Sequence, residues 1–197
     1  MDYIQITVLV LLAVFYTAYL IKALTMKRRG IAVNLLGKGE KPKSALIVER
    51  ILRVATLVGA VVQFGSAAFS ELIWSPSVAL PIRIAAIALV LLGNLFFIIA
   101  MLTMRDNWRA GYNRNQGTKL VTRGIYKISR NPAFVGFDLL YIGCAVAFPN
   151  IVNISVAVAA VILFHIQILG EEKYCAETFR YDYDEYKQKT MRYIGKR

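Results

Sequence analysis

Five apolar runs near membrane length, separated by charged connections, constrain this chain more than any other feature. A helix that spans a bilayer needs about 20 mainly apolar residues. The first run is Tyr3 to Leu24, interrupted only by polar Gln5, Thr7, Thr17 and Lys22. The second, Ala45 to Phe69, opens with Glu49, Arg50 and Arg53, and the third, Pro81 to Met104, with Arg83. The fourth, Pro132 to Phe148, is short and contains Asp138; the fifth, Ile151 to Leu169, contains His165 and Gln167. Only Pro149-Asn150 separates the last two, which predicts an antiparallel hairpin. The expected fold is all-α: a polytopic membrane protein with about five transmembrane helices. Residues 1–104 form an N-terminal region of three spans, and 105–197 hold a connector, the two-span hairpin and a C-terminal helix.

Composition agrees. The chain is 57% hydrophobic and 18% charged, whereas soluble domains average about 45–50% and about 25%. A formal net charge of +12 would suit nucleic acid, but such a binder does not keep its Lys and Arg between runs of membrane length. Cys144 and Cys175 have no metal or disulfide spacing. The start, Met1-Asp2-Tyr3, lacks the basic region of a secretory signal, so the first run reads as an uncleaved span.

The basic residues set an orientation. They cluster in Lys27 to Arg53, in Arg105 to Arg130 (with Arg114), and in the tail from Glu171 to Arg197, while Ser70–Leu80 and Pro149–Asn150 carry none. With five spans, all three basic segments share one side. The N-terminus then lies outside and the C-terminus in the cytosol. The tail Glu171–Lys189 spaces Tyr174, Phe179, Tyr183 and Tyr186 near helical period, which predicts an amphipathic cytosolic helix continuing from the fifth span. The absence of a visible eukaryotic targeting signal favours a prokaryotic plasma membrane.

Polar chemistry gathers on the cytosolic side. Asn131-Pro132 is a helix start: Asn is a favoured N-cap and Pro loses nothing at the first helical position. The free N–H groups there favour an anion, and Arg130 adds a fork for carboxylate or phosphate; equally, Arg130 and Lys127 suit lipid-headgroup anchors. Gln167 and Glu171 are four apart and share a helix face; His165 and Glu172 share another. Polar residues at this depth mark a cavity, against the alternatives that the two Glu open a solvated tail and that His165 is a hydrogen-bonded core residue. Asp138 would pair with Arg130 or bond across the hairpin. Gln63 and Asn94 would join helices. Gly37-Lys38-Gly39 reads as a turn, and Asn153-Ile154-Ser155 as a sequon match without weight.

The stretch KLVTRGIYKISRNPAFVG, Lys119 to Gly136, resembles the L-V-T-x-G-x-Y-x-x-x-R-[HN]-P-x-[YF]-x-G signature of the isoprenylcysteine carboxyl methyltransferase and phospholipid methyltransferase superfamily. EEKYCAETFRYDYDEY, from Glu171, is similar to that family's E-E-x-x-L-x-x-x-F-G-x-x-Y-x-x-Y tail, and MRDNWRAG to its segment after the third span. The resemblance implies an integral membrane enzyme that uses S-adenosyl-L-methionine, without the soluble Rossmann fold. Cofactor contacts would fall on Thr118, Lys119, Leu120, Val121, Tyr126, Asn131, Pro132, Ala133, Phe134 and Glu171. The sequence departs from the pattern at Asn131 for a common His, Phe134 for a common Tyr, Tyr174-Cys175 for Leu, and Arg180 for the Gly after Phe179. Gln167 stands where prenylcysteine methyltransferases have an Arg facing the substrate carboxylate.

The implied reaction is in-line methyl transfer to a lipid-like or prenylated acceptor that enters from the bilayer, with no metal. Arg130, Gln167, His165 and Glu172 would act at the acceptor, His165 or Glu172 as base for an amine. The alternatives are a phosphatidylethanolamine-type lipid N-methyltransferase, an NADPH-dependent membrane reductase, and a non-enzymatic membrane scaffold.

Overall fold

The computed structural model describes residues 1–73, 76–112 and 118–196; Arg114 and Arg197 of the charge pattern lie outside the described residues. Five helices carry the fold: α1 (Tyr3–Arg28), α2 (Lys43–Ala68), α3 (Leu80–Met104), α4 (Pro132–Ala147) and α5 (Ile151–Lys189). Short 3-10 turns cover Arg105–Asn107 and Gly124–Lys127. The protein is all-helical among the described residues, with isolated bridges as its only extended pairing. By length and composition, α1, α3 with its continuation to Asn107, and α5 are able to cross a membrane. The apolar α4 is shorter; its 16 residues rise about 24 Å, against a hydrocarbon core of about 30 Å.

Helix starts follow local chemistry. Asp2 and Gln5 form a capping box on α1: the Gln5 N–H donates to Asp2 Oδ1 at 2.8 Å, and the Gln5 side chain accepts from the Asp2 N–H. Pro149-Asn150 makes the tight turn, and Asn150 caps α5 by accepting from the Asn153 N–H at 2.9 Å. Asn153, the asparagine of the sequon match, is buried and donates to the carbonyls of Cys144 and Phe148, which locks the hairpin.

Helices α3 and α4 pack most intimately, because small residues face each other. A Cβ on Gly93 would lie 2.7 Å from the Gly136 carbonyl oxygen, and one on Gly143 would lie 2.9 Å from that of Ala86. Ala86, Gly93 and Ala100 recur every seven residues on α3, as do Gly136 and Gly143 on α4, giving the stripe that lets membrane helices approach closely. Beside it, Phe15, Phe97 and Phe137 form an aromatic core, Phe15 stacked on Phe97 at 4.2 Å.

Two expected helix-joining amides behave differently. Gln63 of α2 accepts from the Tyr16 hydroxyl of α1 at 2.8 Å, whereas Asn94 donates to the Val90 carbonyl of its own helix; the glycine stripe, not Asn94, joins α3 to α4. Asp138 does not make the expected bond: its buried Oδ1 has no partner among the described residues, and Arg130 is engaged elsewhere.

Helix α5 continues past Leu169 as predicted, but Arg180 breaks it with φ 45° and ψ −116°. The last turns fold back so that Tyr183 and Tyr186 are buried against Tyr126 and Ala100. The chain end is tied underneath: the Arg130 N–H donates to Met191 O and the Gly195 N–H to Ile128 O.

Candidate functional site

The connections 29–42, 105–112 and 118–131 and the tail lie at one end of the bundle, where they cap a cavity of about 630 Å³. Its size falls in the ordinary range of ligand pockets, about 300–1,000 Å³. The first two connections are clasped by a bridge between Asn34 and Ala110, in which Leu35 N–H donates to Ala110 O and Ala110 N–H to Val33 O. An Arg29–Asp106 ion pair adds to the clasp from outside. Trp108 is buried edge-on against Phe97 and lines the cavity; its Nε1–H has no acceptor among the described residues.

Two carboxylate networks define the polar wall. In the first, Glu49 of α2 is fully buried. Its Oε2 accepts from Lys41 Nζ at 2.5 Å and the Gly37 N–H at 2.7 Å, and its Oε1 from Gln167 Nε2 at 3.3 Å. Gly37 adopts φ 69°, confirming the glycine turn. Gln167 Nε2 also donates to Glu171 Oε1 at 3.0 Å, the predicted i, i+4 contact. Lys41 lies over the Tyr112 ring, which stacks on Tyr174. Lys41 thus neutralises Glu49, while the Glu171 carboxyl has no ion-pair partner among the described residues. Burial pushes its pKa up to about 7, with nearby Glu49 adding to the rise and the Gln167 bond and Lys41 opposing it.

In the second network Glu172 Oε1 accepts from Arg130 Nε and Nη2, at 3.1 and 2.9 Å, and from Asn131 Nδ2 at 3.0 Å. Its Oε2 accepts from Arg192 Nε and Nη2, and Arg130 Nη1 donates to Thr190 O. Burial alone would raise the Glu172 carboxyl, but the bonds from Arg192, Arg130 and Asn131 outweigh it and hold the group below its usual range.

This network corrects three expectations. Arg130 is neither a headgroup anchor nor a free fork, since it is buried and its anion is the chain's own Glu172. Asn131 occupies the N-cap position of α4 with Pro132 after it, but its side chain makes no cap bond; the amide turns to Glu172 and Arg192 O instead. Glu172, doubly paired, stays ionised at neutral pH and is a poor proton acceptor. His165 is also misplaced as a base. It sits outside the cavity lining, with Nδ1 2.6 Å from the Tyr193 hydroxyl and its ring stacked on Tyr193.

The cavity lining brings together Thr118, Lys119, Leu120, Val121 and Tyr126 from the connector with Arg130, Asn131, Ala133 and Phe134 from the start of α4. Gln167, Glu171 and Glu172 join them from α5. Pro132 is buried but outside the lining. Sequence reasoning missed Arg53 as a lining residue, and missed the buried Lys41–Glu49 pair that backs Gln167. The signal available for Glu49 and Arg53 was their position, with Arg50, at the opening of an apolar run, read only as a span end; Lys41, outside that run, had no such signal.

A helical bundle with lipid-compatible surfaces and an amphipathic cavity at its loop end is the class defined so far: a membrane protein with a candidate ligand site. The sequence model of the phospholipid methyltransferase family matches residues 81–182, and the chain belongs to that family. The chain is also 26% identical over 165 residues to the Arabidopsis thaliana protein-S-isoprenylcysteine O-methyltransferase B, with 81% of each chain covered. The motif glycines now have causes. Gly124 takes φ 60° at the connector turn, and Gly136 packs so closely on α3 that a Cβ there would lie 2.8 Å from Gly93 O.

Proposed function

We propose that the protein transfers a methyl group from S-adenosyl-L-methionine to a lipid-like or prenylated acceptor at the cytosolic membrane face. The observation that carries this reading is the cavity-lining Glu171 carboxyl, which has no ion-pair partner among the described residues, since nearby Lys41 is paired with Glu49. A cationic ligand supplies what the site lacks, and the cofactor provides a sulfonium-borne methyl and an ammonium. Tyr126 and Phe134 add ring faces that attract such a charge, and the unpartnered Trp108 Nε1–H offers a donor to an acceptor atom. Asn131 and Arg130 contribute indirectly, fixing the start of α4 through Glu172.

Five spans, with the basic connections and the tail in the cytosol, put the cavity on the side where the methyl donor is made. The cofactor-binding elements lie in 105–197, while α1 and α2 line the acceptor end. Exposed Leu20 of α1 and Leu57 of α2 both line the cavity, so an apolar acceptor enters from the bilayer between these helices. The wall then positions the acceptor and excludes water, effects that supply much of the acceleration in transfer between held reactants. A phosphatidylethanolamine-type amine acceptor is the second reading, favoured by Glu171 as a cavity-lining carboxyl with no ion pair among the described residues.

Calorimetry of the full chain in maltoside micelles tests the proposal with S-adenosylmethionine and NADPH side by side. Binding of the methyl donor, lost in E171A, is the expected result. Binding of NADPH alone overturns the reading.

A further inference from the structure

Besides Glu171, one more partly buried charge on the cavity wall has no ion-pair partner among the described residues. Four described cations line the cavity. Arg130 is paired with Glu172. Arg109 donates to the carbonyls of Asp106 and Trp108. Lys119 is exposed at the rim. Arg53 of α2 is only partly exposed, and its guanidinium has no hydrogen-bond or ion-pair partner among the described residues. Arg50, one turn earlier, is exposed with its stem over the Gly37 turn, so the two arginines of this helix start have different destinations.

Arg53 heads a stripe. Thr56, Leu57, Ala60 and Phe64 follow it at i+3, i+4, i+7 and i+11, all on one helix face and all lining the cavity. Tyr16, Tyr19 and Leu20 of α1 line it as well. The groove between α1 and α2 is thus apolar along its length, with a cation at the loop end. A partly desolvated, unpaired guanidinium is costly, and its planar fork matches a carboxylate or phosphate with two hydrogen bonds.

We infer that Arg53 is the specificity residue for the methyl acceptor, holding an anionic group, carboxylate or phosphate, of an amphiphile whose chain lies along the Leu57–Phe64 stripe. The inference rests on the proposed function only in taking this groove as the acceptor site. It supplies a cation that Gln167 lacks, from another helix, and it makes the acceptor an acidic amphiphile rather than a neutral one.

The test uses the full chain in maltoside micelles, which carry no phosphate. Calorimetry compares S-farnesylcysteine blocked at its amine and bearing a free carboxylate, the matching carboxamide, dodecyl phosphate and dodecanol. Wild type binds the anionic probes at least 10-fold tighter than their neutral counterparts. R53Q loses that preference with the neutral probes unaffected, and R53K keeps part of it, which guards against a simple folding defect. Preference for the carboxylate alone identifies the acid as the group held, and preference for the phosphate alone a headgroup; either supports the inference. Equal binding of charged and neutral probes by wild type overturns it, as does a preference that survives in R53Q. S-adenosylmethionine binding is read on the same samples. Its absence, with an Arg53-dependent preference intact, sinks the methyl-transfer reading and leaves this one standing. Loss of cofactor binding in R53Q with the preference kept assigns Arg53 to the cofactor end and overturns the inference.

Discussion

The Gln167 side-chain amide donates to Glu171 Oε1 at 3.0 Å while reaching Glu49 Oε1 on α2 at 3.3 Å. One neutral group therefore sits between two carboxylates, only one of which has its own cation. That asymmetry makes Glu171 the group a cationic ligand would complete.

Glu171 should control cofactor binding through its charge. Replacing it by Gln keeps the shape and loses one charge-assisted bond, about 1.5–3 kcal/mol, or roughly 10- to 150-fold in affinity. The pH dependence has a definite sign. With the folded pKa raised to about 7, the carboxylate needed for a cation forms only above that pH, so affinity falls below it. Stability runs the other way: between the unfolded value and about pH 7 the folded protein holds the extra proton, so the unligated protein loses stability as pH rises through that window. E171Q should abolish both slopes, as calorimetry and thermal unfolding across pH 5–9 would reveal.

Glu172 is expected to act as the clamp that ties the tail to the start of α4. E172Q leaves Arg130 buried with its ion pair broken; removing one partner of a buried pair costs about 3–5 kcal/mol, less the share contributed by half-exposed Arg192. Because the folded pKa is depressed, this stabilisation is present above the unfolded carboxylate value and is lost as pH falls through the folded one. Thermal unfolding in acid should show that loss in wild type and not in E172Q. A wild-type stability independent of pH below 5 would contradict the clamp.

How much of this was legible in sequence depends on range. The five helix positions followed from apolar runs and from Pro132 and Asn150, because burial and capping are local. The hairpin followed from a two-residue turn, and the Gln167–Glu171 contact from helical spacing. The Glu49–Gln167 bond joins residues 118 apart, and nothing in either helix's own pattern announces the pairing. His165 failed for a related reason: a heptad relation to Glu172 holds on a helix, but the folded-back tail brings Tyr193 to the histidine and Arg192 to the glutamate. Asn131 was placed correctly and assigned the wrong bond, since its amide found a buried carboxylate in preference to the helix N–H groups.

The α3–α4 stripe makes a steric prediction. A side chain at Gly93 meets Gly136 O at 2.7 Å and Leu140 N at 2.9 Å, both backbone, so neither moves without separating the helices. G93L should abolish the folded state or cost several times the roughly 1–3 kcal/mol of ordinary overpacking. G65L on α2, where a Cβ meets nothing within 4 Å, should be tolerated. Size-exclusion profiles of the two purified variants distinguish them, and equal behaviour would show that the helices are not in contact at Gly93.

Arg180 offers the reverse experiment, a substitution that should stabilise. Its φ of 45° with ψ of −116° lies where an L side chain is strained and glycine is not. The tail resemblance has Gly at this position, so the break in α5 is built for a residue this chain does not carry. The Arg180 side chain is exposed, and no described contact is lost with it. R180G should therefore raise stability by about 1 kcal/mol, the lower end of the cost of such a backbone state, partly offset by the greater freedom of glycine in the unfolded chain. The fold-back that buries Tyr183 and Tyr186 should persist. A higher melting temperature with unchanged cofactor affinity is the expected pair of results. A lower one would mean that the break is held by the arginine rather than in spite of it.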